Sequence, residues 1–515
     1  MTIRKTNRLL PLTDCPALRP WQARCIEQAL QTLSDTHPHF LCQATPGAGK
    51  MLMAAVLADE LMQNDAIDLV IYLGPTTAVV ERAQIIFEQI TGRAMNGRLG
   101  AAGAAFTYHA LHHRLAELQQ LSQQGRVLLV WDESHHAASH TGNMAGANQW
   151  GLGLLALERL VRFTLALSGT PWRSDGSCLP LLRYMESTRD DSPSEDDQDT
   201  ATQQHQLVPD FVYSLQEAIV DRVCRYPRVH LIDNRDIQLS TFQPKEQQRA
   251  THHYASIPHL LRHPAVSYSA LLRHTEPLAH VLSLGCQRLA QLRQHDPDAA
   301  GLVVASDIAH AEDLAEHLED LGQTVCLVTS KSPNAHARLN AFRDAQTPWI
   351  VSVGMVSEGV DIPRLRVCCY LSHVRTEQYF RQVLGRIIRR EDIDDADCYL
   401  YALNEPYLRR YARRITDDLP DDLASVTLSQ SSHGTDARRD YPGNLPDDDP
   451  DASDLPAVSE NDNVYANPEI TANPSSPEVQ LSMGGDGSHA IATDPDLAFS
   501  QAFIARLVAL RLPSS

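Results

Sequence analysis

No run in these 515 residues approaches the roughly 18 apolar positions needed to span a bilayer, so no membrane partner is expected. The opening MTIRKTNRLLPLTD has two Arg and a Lys but no apolar stretch of about 7 to 15 residues before a small-residue cleavage site. A secretory signal is therefore not expected, and a soluble, cytoplasmic protein is. Cysteine occurs ten times, at 15, 25, 42, 178, 224, 286, 326, 368, 369 and 398, but never as C-x-x-C or in a Cys/His cluster with zinc-ligand spacing. Most of these thiols sit in apolar, strand-like runs and read as small buried hydrophobes, including the vicinal pair in RVCCYL. No nuclease or methyltransferase constellation is visible.

Positive charge is also in deficit, at a net −20. Its distribution matters more than its sum. From 416 to 515 there are 18 Asp and Glu against 4 Arg, and from 187 to 206 there are 6 acids against 1 Arg. The remainder is close to neutral, so a local basic groove stays compatible with the composition.

The chain is too long for one ordinary core, since domains of roughly 100 to 200 residues are the norm. Short apolar runs alternate with stretches of helical period: HFLCQA at 39 to 44, DLVIYLGP at 68 to 75, RVLLVWDE at 126 to 133 and FTLALSGT at 163 to 170. That alternation predicts an α/β domain, a parallel sheet flanked by helices on both faces, over 1 to 233. The segment 187 to 206 is nearly free of large apolar residues and reads as a disordered acidic insertion. The stretch 210 to 233 reads as a helix and strand closing this domain, and 234 to 270 as a connector. A second α/β series over 271 to 415 contains GLVVAS, TVCLVTS, WIVSV, RVCCYL and CYLYAL. An acidic tail from 416 to 494 is too polar to order itself. Residues 495 to 512 regain helical period, with Phe499, Phe503, Leu507 and Leu510 along one stripe, which predicts a C-terminal helix that docks back or takes a protein partner.

In CQATPGAGKMLMAA a strand leads through a Gly-rich turn into a helix, the setting in which backbone N–H groups and a helix N-terminus cradle phosphates. Gly47, Ala48, Gly49 and Lys50 form that cradle. The next position usually supplies a hydroxyl to Mg²⁺, and here it is Met51, whose thioether is a poor ligand for a hard cation. The missing interaction resembles one hydrogen bond to a charged group, about 1.5 to 3 kcal/mol. In VLLVWDESHHA a buried strand delivers Asp132 and Glu133 at its carboxyl end, the usual ligand position of an open α/β sheet. Asp132 would hold Mg²⁺, and Glu133 would orient and deprotonate an attacking water. QVLGRIIRR places a cluster of Arg on a helix of the second domain, where a guanidinium fork can stabilise the charge of a phosphoryl transition state.

With DESH and the ordered motifs around it, the chain from about 15 to 415 resembles bacterial DEAD/DEAH-box proteins, DExH-type members of the superfamily-two helicases. The resemblance implies two tandem RecA-like domains using ATP and Mg²⁺ on a nucleic-acid strand. LRPWQ is similar to the adenine-reading segment, with Gln22 on the base and Arg19 in support. GPTTAVVERA and TYHAL are similar to strand-contacting motifs, with Thr76, Thr77, Thr107 and Tyr108 as contacts. SGTPWR resembles the coupling motif, Ser168 and Thr170 linking the nucleotide site to movement, together with His135 of the box. VSVGMVSEGVDIP implies Gly359 and Asp361 near the nucleotide. QVLGRIIRR implies Gln382, Arg386 and Arg389 facing ATP from the opposite domain.

The resemblance therefore implies an ATP-dependent helicase or translocase, DNA being favoured over RNA. Two other functions fit the residues: an ATP-gated clamp slowed by Met51, and a subunit whose tail and final helix recruit an effector.

Overall fold

The computed structural model describes residues 18–134, 149–172, 179–186, 203–243, 248–329, 331–332, 334–354, 362–390, 395–415, 425–428 and 496–508. The first domain opens with α1 (Pro20–Thr32), β1 (His39–Ala44), α2 (Lys50–Gln63), β2 (Leu69–Gly74) and α3 (Thr77–Thr91). It continues through β3 (Gly103–Thr107), α4 (Tyr108–Gln124), β4 (Val127–Asp132), α5 (Gln149–Glu158) and β5 (Phe163–Ser168). Then come β6 (Tyr184–Glu186), β7 (Gln203–Leu207), β8 (Phe211–Tyr213) and α6 (Leu215–Val220). Six of these strands form one sheet in the order β3-β2-β4-β5-β1-β8, with every pair parallel.

Successive residues of each strand serve opposite faces, which explains why the runs are apolar throughout. Phe40, Cys42, Val70 and Tyr72 pack with Trp21, Met53, Leu57 and Phe87 from α1, α2 and α3. Leu41, Ile71, Leu73 and Trp131 pack instead with Leu111, Leu118, Leu154 and Leu157 from α4 and α5.

The second domain starts with β9 (Tyr226–Asn234), β10 (Ile237–Gln243), β11 (Gln248–Tyr254), α7 (Ile257–Leu260), α8 (Tyr268–Leu272) and α9 (Thr275–Arg293). Next are β12 (Ala300–Ala305), α10 (Ile308–Asp320), β13 (Val325–Val328), α11 (Ala335–Asp344) and β14 (Trp349–Ser352). The chain proceeds through β15 (Leu365–Leu371), α12 (Glu377–Ile387), β16 (Asp397–Leu403), α13 (Pro406–Arg413), β17 (Ser425–Leu428), β18 (Asp496–Phe499) and β19 (Phe503–Leu507). The sheet runs β13-β14-β12-β15-β16-β9-β19, parallel except for the final pair. Both domains thus have the RecA-like architecture of parallel sheets flanked by helices.

The structure departs from the sequence reading in several places. The strand at 226–234 pairs with β16, so it belongs to the second sheet and does not close the first domain. The connector holds the β10–β11 hairpin and α7 and α8. In place of a C-terminal helix there are two strands, β18 on β10 and β19 on β9, joined around Ser500–Ala502. Phe499, Phe503 and Leu507 are spaced by four, which satisfies a helical stripe and strand alternation equally. The unpaired edge of β9 offers backbone partners that an isolated helix would forgo. Strand β7 overlaps the end of the segment read as a disordered insertion, and β17 lies within the acidic tail; they pair with each other.

Candidate functional site

The turn after β1 is shaped by two glycines at positive φ, Gly47 at 81° and Gly49 at 95°, a region that disfavours L side chains. Space is short as well. A Cβ on Gly49 would lie 2.9 Å from Gln22 Nε2, and one on Gly47 would lie 3.0 Å from Arg389 Cγ. Carbonyls of the turn are held from α1: Gln22 Nε2 donates to Gly49 O at 2.8 Å, while Arg19 Nη1 (2.8 Å) and Trp21 Nε1 (3.2 Å) donate to Ala48 O. Arg19 and Gln22 therefore brace the loop and line the cavity beside it. Lys50 donates to Ala44 O at 3.0 Å. Met51 is half-buried, packed on the core and facing the same cavity.

Asp132 ends β4 and is buried. The hydroxyl of fully buried Tyr72 donates to its Oδ2 at 2.7 Å, and that of fully buried Tyr108 donates to its backbone O at 2.7 Å. Burial first, then the adjacent Glu133 charge, push the Asp132 carboxyl up to about 6, against the opposing pull of Lys50 and the Tyr72 hydrogen bond. Glu133 takes φ 53°, which turns the chain sharply off the strand end. Both carboxylates line the cavity with Lys50 and Thr170. A carboxylate raised in this way is stabilised by a cation placed against it, and two oxygen donors beside room for phosphates and water suit Mg²⁺. Among the described residues no group of three or more His, Cys, Asp or Glu converges.

Ser168 closes β5 and its Oγ accepts the Thr170 N–H at 3.1 Å. Between them Gly169 allows Pro46 to approach, since a Cβ there would lie 3.0 Å from Pro46 Cδ. The second domain meets the other side of Pro46 through Gly385 of α12, where a Cβ would lie 2.8 Å from Pro46 Cβ and Cγ. Pro46 is thus held between two glycines of different domains. That close approach brings Gln382, Arg386, Arg389 and Arg390 into the lining of the same cavity, of about 580 Å³. The guanidinium of Arg381 on α12 also lies 5.4 Å from the ring of Trp172.

One clamp fixes the end of α12. Arg225 is 2% exposed and donates to Leu365 O (2.7 Å), Ile387 O (2.8 Å), Pro363 O (2.7 Å) and Asp395 Oδ2 (2.5 Å). Its backbone N–H donates to Ile388 O at 2.7 Å. Arg225 was not legible as a site residue, and neither were Tyr72, Pro46 and Gly385. Their partners lie 60 or more residues away in the sequence, so no local pattern marks them.

The expected strand contacts fare unevenly. Tyr108 is corrected: it is fully buried with its hydroxyl on Asp132 O, so it anchors the acidic strand and offers nothing to a ligand. Thr76 and Thr107 are helix N-caps, accepting the N–H groups of Val79 (3.4 Å) and Ala110 (3.3 Å). Thr77 begins α3, whose Ala78, Val79 and Arg82 line the cavity. His135, Gly359 and Asp361 lie outside the described residues.

Known proteins resemble this chain to differing extents. The family described as type III restriction enzyme, res subunit, matches residues 16–173. An uncharacterised protein of Mycobacterium leprae (strain TN) is 30% identical over 389 residues, covering 73% of this chain and 60% of that protein. A protein of the Sulfolobus islandicus filamentous virus, named as a candidate helicase, is 21% identical over 365 residues, covering 68% of this chain and 57% of its own. The chain thus spans less than two thirds of the length of these relatives. Among solved structures, a fragment of a candidate HsdR subunit of a type I restriction enzyme from Vibrio vulnificus aligns over 78% of this chain and 67% of that one. Its identity is 17% and its TM-score 0.49.

Proposed function

We propose that this chain is a member of the superfamily-two helicase family and a nucleic-acid-dependent ATPase that translocates on or unwinds DNA. The observation that carries the reading is the cleft in which Lys50, Asp132 and Glu133 face Gln382, Arg386 and Arg389 across the domain boundary. A phosphoryl-transfer site of this kind works by positioning and charge.

ATP would lie with its phosphates against the Gly47–Gly49 turn and the N-terminus of α2. Lys50 would exchange its hydrogen bond to Ala44 O for the terminal phosphates. Glu133 would orient the attacking water and accept its proton. Arg386 and Arg389 would stabilise the charge that develops on the transferred phosphoryl group. Mg²⁺, when bound beside Asp132, would supply charge neutralisation between the phosphates. Because the arginines come from the second domain, hydrolysis depends on closure, and closure moves any strand lying across both domains. Contacts to such a strand would be directed mainly at its backbone and carry little sequence information. DNA is favoured over RNA on the likeness of MVSEGVDIPRLRV and YSLQEAIVDRVCR to bacterial DEAD/DEAH-box proteins.

The test is an ATPase assay on the full chain with single-stranded DNA, duplex DNA and RNA in parallel. Stimulation by single-stranded DNA is expected, and Lys50→Ala, Glu133→Gln and Arg386→Ala should each remove it. No stimulation by any nucleic acid would sink the proposal. A second reading, an ATP-gated nucleic-acid clamp with slow turnover, is favoured by Met51, which faces the cavity where a hydroxyl would serve Mg²⁺ better. The effector-recruiting reading loses its helix over the described part of that segment, residues 496–508, which forms strands.

A further inference from the structure

A second large cavity, of about 1110 Å³, opens on the second domain between the segment holding α7 and α8 and the start of α13. It lies at the carboxyl ends of β9, β15 and β16. Arg375 follows β15, Asn404 follows β16, and Ser306, just past β12, joins that rim by donating to Leu371 O and accepting the His373 N–H. The ATP cleft lies toward the other end of α12. Thr376 caps the near end of that helix, beside Arg375, while Gln382 and Arg386 reach the ATP cleft about 9 to 15 Å farther along it.

The charge facing this cavity is positive although the protein is acidic. Arg262, Arg375, Arg409 and Arg506 line it with two carboxylates, Asp233 and Glu405. Both acids are engaged inside the fold. Asp233 Oδ1 accepts the N–H groups of Asn234 (2.9 Å) and Ile257 (2.7 Å), and its Oδ2 accepts Asn404 Nδ2 (2.9 Å) and pairs with Arg506 at 3.6 Å. Glu405 Oε2 caps α13 through the Leu408 N–H (2.9 Å), and its Oε1 pairs with Arg375 at 3.5 Å. The side chains of these two acids are each 2% exposed, whereas those of Arg375 and Arg506 are 24% and 58% exposed.

Aromatic rings accompany the cations. The Arg375 guanidinium lies 5.8 Å from the ring centroids of both Tyr268 and Tyr407. Two buried polar atoms in the lining have no partner among the described residues, the Tyr268 hydroxyl and Asn404 Oδ1. One can donate to a phosphate oxygen and the other can accept from a base N–H or a sugar hydroxyl. Cations, a stacking ring, a free donor and a free acceptor together match a nucleotide chain more closely than a simple anion.

We propose that this groove binds the backbone and at least one base of a single-stranded nucleic acid, extending the strand's path along the carboxyl edge of the second sheet. The inference rests on the function proposed above and adds a binding surface outside the motifs that suggested it. A strand held beside Arg375 would bear on the near end of α12, whose last turn carries Arg386, so strand occupancy and the nucleotide site would share one rigid element.

The test is binding of a fluorescein-labelled oligo-dT of about 20 nucleotides, longer than one binding module covers, measured by anisotropy across a salt series. For Arg262→Ala/Arg506→Ala, affinity should fall about tenfold and the slope of log K against log salt should shrink by about 1.4, or about 0.7 for each phosphate that is no longer neutralised. Photo-crosslinking of the unaltered protein with a 4-thiothymidine oligonucleotide should mark Tyr407 or the 256 to 268 segment. Tight binding by the parent protein with an unchanged slope in the variant, or crosslinks only elsewhere, would overturn the groove alone. Failure of the parent protein to bind any oligonucleotide would overturn the proposed function together with it. Displacement of the oligonucleotide by inorganic phosphate at constant ionic strength would assign the groove to a free anion and overturn the proposal.

Discussion

The hydroxyl of Tyr72 donates to Asp132 Oδ2 at 2.7 Å from a position with no solvent exposure, so β2 fixes the carboxylate that ends β4. Tyr72→Phe keeps the ring in the core and removes only that bond. A hydrogen bond to a charged group contributes about 1.5 to 3 kcal/mol, or roughly tenfold to a hundredfold in rate. The expected result is a fall in kcat/KM of that order, with an increased Mg²⁺ requirement and an unchanged far-UV circular dichroism spectrum. A Mg²⁺ titration of the ATPase decides it: an identical midpoint in both proteins means that the tyrosine does not position Asp132.

Gly385→Ala separates helix stability from domain closure. Alanine is favoured over glycine inside a helix by about 1 kcal/mol, so α12 itself should be stabilised. Its new methyl, however, would stand 2.8 Å from Pro46 Cβ and Cγ, closer than carbon atoms pack, and proline cannot swing aside as a flexible side chain would. The second domain must retreat, carrying Arg386 and Arg389 with it. An ATPase rate reduced at least about tenfold is expected, since an arginine finger contributes roughly a thousandfold or more, while the melting temperature holds. An unaltered rate would show that hydrolysis does not need this closed arrangement.

Much of this architecture is legible in the sequence because its carriers are local. A strand, Gly47, Gly49 and Lys50 fall within a dozen residues, and the acids follow directly on an apolar run. The errors share a different cause. Spacing by four in Phe499, Phe503 and Leu507 cannot separate helix from strand, and the open edges of β10 and β9 decide between them. Likewise, Tyr108 lies in a motif associated with strand contact, but its burial follows from the packing of α4 on the sheet face that also carries Trp131. The apolar pattern of 226–234 shows a strand without showing which of two similar sheets it joins.

Met51→Thr probes the departure from the usual phosphate turn. Met51 faces the cavity and also packs on the core, so the shorter side chain gives up some apolar packing, at a cost of about 1 kcal/mol for one or two methylenes. In exchange it brings a hydroxyl into the position where Mg²⁺ is ordinarily served. If the missing oxygen limits turnover, kcat should rise about tenfold to a hundredfold at limiting Mg²⁺ and the gain should shrink as Mg²⁺ approaches saturation. A brisk parental rate that Met51→Thr leaves unchanged would rule out the clamp reading.

Arg225→Met tests how far the ATP-facing end of the second domain depends on one buried cation. The guanidinium satisfies the carbonyls of Pro363, Leu365 and Ile387 and pairs with Asp395, whose carboxylate also meets Arg366 at 2.9 Å. Methionine fills much of the volume but leaves those carbonyls without a donor and Asp395 with half its compensation. Breaking a buried ion pair on one side costs about 3 to 5 kcal/mol because the remaining charge stays desolvated. The clamp sits where α12 ends and Arg389 begins, so its removal should be felt at the nucleotide cleft before the domain unfolds. The expected outcome is a lower urea midpoint together with a fall in ATP affinity. Arg225→Met/Asp395→Leu should recover part of the midpoint, because the stranded carboxylate is gone, without recovering ATP affinity, because the carbonyls that hold the end of α12 remain unserved. Equal recovery of both would mean that the ion pair alone, and not the three carbonyl hydrogen bonds, orients the arginines of the second domain.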